Sequence, residues 1–201
     1  MLNESSNTGA AGFKAAFDAT ALLVIDELGD PAGGPLADVL LEPTLSTARL
    51  VDAAHEAGMP VIYANDAHIP GLDRELLLWG EHGIAGTPEA QVSPQITVLP
   101  ADHIIEKRRY SAFFQTGLRL LLDELGVRGL ILCGFDTNIC VKHTAADAYF
   151  NNFELMVVSD ATGTFLVGDQ AEGLAYMEKC YAAQIVDTAA ALRFIEAGEQ
   201  Q

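Results

Sequence analysis

The chain has 201 residues, half of them hydrophobic, and its 28 acidic and 11 basic side chains give a formal charge of −17. That length suits one domain with one sizeable core, and so acidic a surface repels phosphate backbones, which excludes nucleic acid as a partner. No basic stretch leads into an apolar segment near the N-terminus and no apolar run is long enough to span a bilayer, so neither a signal peptide nor a membrane helix is expected, and a cytoplasmic location is.

Residues 1–18 read as a flexible or interface-forming arm ahead of a single domain over 19–201. Ala21-Leu-Leu-Val-Ile25 is a continuous apolar run ending at Asp26, the pattern of a strand buried on both faces. Residues 26–43 are rich in Gly and Pro and read as a loop, whereas 44–57 repeat apolar residues at helical spacing and stop at Gly58. Val61-Ile-Tyr-Ala64 is a second strand. A long polar stretch follows it to residue 100, and stretches of that length in compact domains usually carry function. His103-Ile-Ile-Glu106 is a third strand running into Lys107, 116–125 a helix, and Gly129-Leu-Ile-Leu-Cys133 a fourth strand that turns at Gly134. Beyond it the pattern gives a helix over 137–150, a strand over 155–158, a helix over 169–183 and a last strand over 184–186. Strands alternating with helices predict a three-layer, doubly wound α/β fold: a mostly parallel six-stranded sheet with helices on both faces.

Ligands of such sheets bind outside the carboxyl ends of the strands. Asp26, Asp66, Lys107 and Cys140 all fall at that edge. A Cys at a helix entrance feels the positive end of the helix dipole, which lowers its pKa and favours the nucleophilic thiolate. Free N–H groups there can hold an oxyanion. A carboxylate nearby, here Asp26, can take the thiol proton and return it to a leaving amine, with Lys107 holding that carboxylate. The plain alternative for a Cys after a strand is a small buried hydrophobe, which suits Cys133 and Cys180. With no Cys-x-x-Cys pair and no resolving thiol beside Cys140, a disulfide framework, a thiolate zinc site and a redox role are all disfavoured.

Asp66-Ala-His68 and the later His82 offer donors that suit Zn, Fe or Mn with coordination positions left open; unengaged loop histidines are the plain alternative.

Three stretches together resemble a known family. They are Asp26 after its strand, Glu106-Lys-Arg-Arg-Tyr110-Ser-Ala-Phe113, and Gly134-x-x-Thr137-x-x-Cys140-Val-x-x-Thr144-Ala-x-Asp147-Ala. In order and spacing they are similar to the isochorismatase-like cysteine hydrolases, which include nicotinamidases and ureidoacrylate and carbamoylsarcosine amidohydrolases. The resemblance runs over roughly 21–186. It implies a triad of Asp26 (general base and acid), Lys107 (electrostatic partner) and Cys140 (nucleophile). It implies an oxyanion hole from the N–H groups of Asp136 and Cys140, set by a cis Phe135–Asp136 peptide. Asp66, His68 and His82 become expected ligands of a divalent metal. Trp79, which packs on the substrate ring in nicotinamidases, is an expected substrate contact together with Phe135 and Tyr110.

The resemblance further implies no organic cofactor, a small-molecule amide as partner, and a homo-oligomer, dimer or tetramer. Nicotinamide, hydrolysed to nicotinate and ammonia, is the best substrate. The alternatives are a ureido or carbamoyl amide, or a non-catalytic relative that binds a small molecule. The chain departs from nicotinamidases at Gly80 and Gly83, where they carry Pro and Cys. Leu28-Gly-Asp-Pro31 replaces their Asn-Asp-Phe run and removes an aromatic wall.

Overall fold

The computed structural model describes residues 12–199. Its centre is one sheet of six strands: β1 (Thr20–Ile25), β2 (Val61–Asp66), β3 (His103–Lys107), β4 (Gly129–Phe135), β5 (Glu154–Gly163) and β6 (Gln184–Val186). Every pairing is parallel and the order is β3-β2-β1-β4-β5-β6. Chain direction across the sheet reverses between β1 and β4, which opens a crevice at their carboxyl ends. β1, β2 and β4 are buried along their whole length, as continuous apolar runs require when helices cover both faces.

Helices α1 (Ala37–Glu56) and α6 (Thr188–Glu199) cover one face, packing Leu50, Val51, Ala54, Ala191 and Ile195 onto Leu22, Val24, Ile131 and Val158. Helices α3 (Leu118–Glu124), α4 (Lys142–Phe150) and α5 (Gln170–Tyr181) cover the other, where Leu118, Leu122, Ala145, Ala148 and Met177 meet Leu23, Ile25, Leu130 and Leu132. A short helix, α2 (Leu76–Trp79), lies in the long connection between β2 and β3.

Helix α1 begins two turns before the expected start and carries Pro43 inside it. A proline removes one backbone donor and crowds the carbonyl four residues back. Thr44 follows it, with its hydroxyl 2.9 Å from the Leu40 carbonyl. The buried stripe is also rotated from the expected one: Thr47, Leu50, Val51 and Ala54 face the sheet, while Leu45 is exposed. α6, which the sequence reading did not assign, closes the α1 face.

Of the expected N-terminal arm, residues 1–11 lie outside the described residues. The remainder is docked: Phe13 meets Phe194 edge-on at 5.4 Å, and the Phe13 N–H donates to Gln184 Oε1 at 2.7 Å. No described helix is long and apolar enough to cross a membrane.

Candidate active site

Strand register brings the chemistry together. Asp66 and Lys107 are Cα partners at the tips of β2 and β3, and Ile25, the residue before Asp26, pairs with both Ala64 and Gly134. Asp26 has φ +49°, in the left-handed region, so the chain leaves β1 in a tight bend. Gly134 has φ +107°, and a Cβ there would overlap the Ile25 carbonyl, so only glycine lets β4 lie this close to β1. Five residues, Thr137–Val141, then form a π-helical turn before α4. Asp136 caps it: its carboxylate accepts from the N–H groups of Asn138 at 2.8 Å, Phe165 at 2.8 Å and Leu166 at 3.0 Å.

Lys107 Nζ lies 2.7 Å from Asp26 Oδ2, 2.5 Å from Asp66 Oδ1 and 3.5 Å from Cys140 Sγ, all within nearly dry surroundings. Asp26 Oδ1 accepts the Asp66 N–H at 2.8 Å. Burial pushes the Asp26 carboxyl up to about 6, aided by Asp66 and opposed by Lys107. Burial would raise Asp66 too, but Lys107 prevails and holds it below the usual carboxylate range. The Lys107 ammonium stays charged because Asp26, Cys140 and Asp66 outweigh its desolvation.

Burial and the two carboxylates push the Cys140 thiol well above its ordinary pKa, with Lys107 opposing. This runs against the expectation of a lowered pKa: desolvation outweighs the helix entrance. Cys133, inside β4, is a buried thiol in the core, whereas Cys180 on α5 is exposed.

A cavity of about 590 Å³ opens onto Cys140 and Asp26. Phe135, Ile139, Leu28 and Leu36 line its apolar side, and Trp79, Glu75 and His82 the other. At that second side Asp66, His68, Glu75 and His82 each present a donor atom within 4.8 Å of the others. His68 Nε2 is buried without a hydrogen-bond partner, 3.5 Å from Asp66 Oδ2 and 3.9 Å from Glu75 Oε1. An orphaned imidazole nitrogen converging with two carboxylates and a second imidazole is a donor set that fits a divalent ion. Its other nitrogen, Nδ1, faces Asp73 at 3.4 Å, and Arg108 holds the Asp73 carboxyl well below the usual range. A carboxylate behind an imidazole fixes the ring of a metal ligand in this way. Glu75 is the member that sequence reasoning missed. Its only signal was an acid between His68 and His82, which is undistinctive in so acidic a chain.

Residues 20–190 match the model of the isochorismatase domain. The chain belongs to the isochorismatase family. This isochorismatase-family hydrolase is 31% identical over 172 residues to nicotinamidase 3 of Arabidopsis thaliana, covering 80% of this chain and 84% of that protein. Its fold superposes on N-carbamoylsarcosine amidase from Thermoplasma acidophilum with a TM-score of 0.77 at 31% identity, over 84% of this chain and 96% of the other. It superposes on a nicotinamidase from Bacillus subtilis with a TM-score of 0.74 at 27% identity, over 84% and 99%.

Two features of the isochorismatase-family site differ from expectation. The Phe135–Asp136 peptide is trans, as is every described peptide bond. A trans bond is the lower in energy by about 3 kcal/mol, and the positive φ of Gly134 supplies the bend that the turn needs. Tyr110 is not among the residues lining the cavity. It accepts a hydrogen bond from Trp79 Nε1 at 3.1 Å and lies beside His143 in a separate depression, so it braces Trp79 from behind.

Beside Asp26, Glu27 is buried under α1, with Thr44 Oγ1 at 2.7 Å and Thr47 Oγ1 at 2.8 Å. The Thr44 hydroxyl has one proton but two acceptors, Glu27 and the Leu40 carbonyl. A protonated Glu27 resolves this by donating to Thr44. Burial pushes its carboxyl up to about 7. A folded pKa raised from 4.5 to about 7 contributes stability that is complete below pH 4.5 and lost as pH rises through 7. Glu27→Gln keeps the neutral hydrogen bonds at all pH. The variant is therefore expected to unfold later than the parent at pH 8, by on the order of 3 kcal/mol, and to match it at pH 4.5. Denaturant titration at the two pH values measures the gap, and an equal gap at both would refute the assignment.

Proposed function

We propose that this isochorismatase-family hydrolase cleaves the C–N bond of a small amide through a thioester on Cys140, with nicotinamide as the leading substrate. One observation carries the reading: Asp26 and Cys140 lie 2.7 Å and 3.5 Å from the Lys107 ammonium, and both line a cavity.

The Asp26 carboxylate accepts the Cys140 thiol proton as sulfur attacks the carbonyl carbon. Proton transfer and attack go together. The Lys107 ammonium stabilises negative charge on sulfur and on Asp26. The Cys140 N–H, in its π-helical turn, is the proposed oxyanion donor. Asp26 returns the proton to the departing nitrogen, releasing ammonia and leaving the acyl group on sulfur. Water, deprotonated by Asp26, then attacks the thioester, and the carboxylic acid and the thiol are regenerated. Trp79 and Phe135 both line the cavity and offer flat apolar surface to a ring.

Asp66, His68, Glu75 and His82 are the proposed ligands of a Zn, Fe or Mn ion, which when bound would ligate a ring nitrogen and orient the amide. The Cys140 thiol supports an amide over a vinyl ether, which needs no nucleophilic sulfur, and the cavity supports nicotinamide over a ureido or carbamoyl acid, whose carboxylate would find no Lys or Arg in the lining.

Incubation with nicotinamide, ureidoacrylate and N-carbamoylsarcosine, with ammonia as readout, tests the reading. Nicotinamide is expected to turn over at least about tenfold faster than either acid. Dialysis against a chelator, or Glu75→Gln with His82→Ala, is expected to lower metal content and cut nicotinamide kcat/KM by about 10- to 100-fold. Turnover of a carbamoyl acid instead of nicotinamide selects the alternative substrate. Turnover of none selects a binding relative.

A further inference from the structure

The cavity is lined by eight carboxyl side chains and by no Lys or Arg. Its inner charges can be balanced: Lys107 lies between Asp26 and Asp66, and a divalent ion in the His68 cluster would offset what remains of Asp66 and Glu75. Asp136 spends its carboxylate on three backbone N–H groups, and Glu27 sits near neutrality. Three carboxylates have no cation beside them, although Asp30 Oδ1 accepts from the Ala32 N–H at 2.9 Å and from Gln95 Nε2 at 3.0 Å. Asp30, Glu81 and Glu89 are exposed residues of the lining and form its rim. None of the three is within ion-pair distance of a base among the described residues, and the two nearest arginines in sequence to Lys107, Arg108 and Arg109, are both bound to Asp73. A cleft with low-dielectric walls concentrates such a field rather than dispersing it.

We propose that the Asp30–Glu81–Glu89 rim makes this cavity select neutral and cationic amides and turn away amides that carry a second, anionic group. The proposal rests on the amide-hydrolase reading for the word amide, but charge selection at Cys140 is independent of it. The other half of the lining fixes the body of the substrate. Leu28, Leu36, Leu40, Phe165 and Leu166 form an apolar wall, and about 590 Å³ is room for more than a single ring. The substrate class is therefore an amide on an apolar body, uncharged or positively charged at its far end. The same field acts after reaction, because hydrolysis of a neutral amide creates a carboxylate inside a negative cavity and favours its departure.

Two measurements test this separately from the hydrolase reading. The first compares alkylation of Cys140 by iodoacetamide and by iodoacetate, two reagents of nearly equal size, one neutral and one anionic. Exposed Cys180 on the same chain is the internal reference for the charge of the whole protein, and buried Cys133 stays silent. At low salt the iodoacetamide preference of Cys140 is expected to exceed that of Cys180 by at least about tenfold. The excess is expected to shrink with added salt, because the rim charges are screened over about 10 Å at 0.1 M, and to shrink in a D30N/E81Q/E89Q variant. Equal preferences at the two cysteines, or an excess that the variant leaves unchanged, overturn the proposal.

The second uses three primary amides on one ring, 3-carbamoylbenzoate, isophthalamide and 3-(aminomethyl)benzamide. The kcat/KM order expected is cation at or above neutral, and neutral at least about tenfold above anion. Anion turnover equal to neutral overturns the charge selection while upholding the hydrolase. Turnover of no amide, with the alkylation excess intact, sinks the hydrolase reading and leaves the charge selection standing.

Discussion

Replacing Cys140 with alanine is expected to lower amide turnover by at least about 10³-fold while leaving the chain folded. Cys140 is nearly buried on the α4 side of the sheet, yet it contributes only a small side chain to that core. Loss of one sulfur from such a place costs on the order of 1 kcal/mol, a few degrees in Tm for a chain of this size. Cys140→Ser is expected to lose nearly as much turnover, since a hydroxyl is a far weaker nucleophile than a thiolate and Asp26, at about 6, is too weak a base to ionise it. Steady-state ammonia release beside a thermal melt separates the two effects. Turnover by either variant close to the parent's would place the chemistry elsewhere in the molecule.

Lys107→Met is expected to be costly in a different way. The ammonium is fully buried and lies between two carboxylates, at 2.7 Å and 2.5 Å. Taking one partner from a buried ion cluster leaves uncompensated charge and typically costs 3–5 kcal/mol. In this cluster the cost should reach about that range, because two carboxylates face one another once the cation is gone. Activity falls with it, so the single variant cannot divide structure from chemistry. Adding Asp26→Asn does. The double variant removes one of the orphaned charges and is expected to recover about half of the lost stability, with no recovery of turnover. Denaturant midpoints for parent, single and double variants measure this. A double variant no more stable than Lys107→Met would mean that Lys107 supports the fold through packing of its stem rather than through its charge.

How much of this was legible in the sequence depends on the kind of signal. β1, β2 and β4 could be read because a strand covered on both faces must be apolar throughout, and few other short elements are. β1 and β4 locate the edge that carries Asp26 and Cys140, and β3, alternately exposed and half-buried until Lys107, brings that lysine to it. Helix α1 was read only from Thr44 because Pro43 is ordinarily a boundary, yet here it lies inside the helix. α6 went unread although Ala191, Leu192 and Ile195 recur at helical spacing and pack into the core. Glu75 was not legible because irregular loop brings it to His68, and no periodicity describes that path. The direction of the Cys140 pKa went wrong for a related reason: position in sequence locates a helix entrance, but depth beneath the surface is a property of the assembled fold. Tyr110 was expected to contact substrate; it is absent from the cavity lining and accepts the Trp79 indole N–H from a neighbouring depression.

Asp66 turns one oxygen to Lys107 at 2.5 Å and the other to His68 at 3.5 Å and His82 at 4.0 Å. A single side chain thus belongs to both halves of the pocket. An engineer who swaps the proposed ion-holding half for another donor set also rewires the thiol half, and one who neutralises the lysine disturbs the carboxylate that faces both imidazoles. The two halves of this pocket can be redesigned only as one piece.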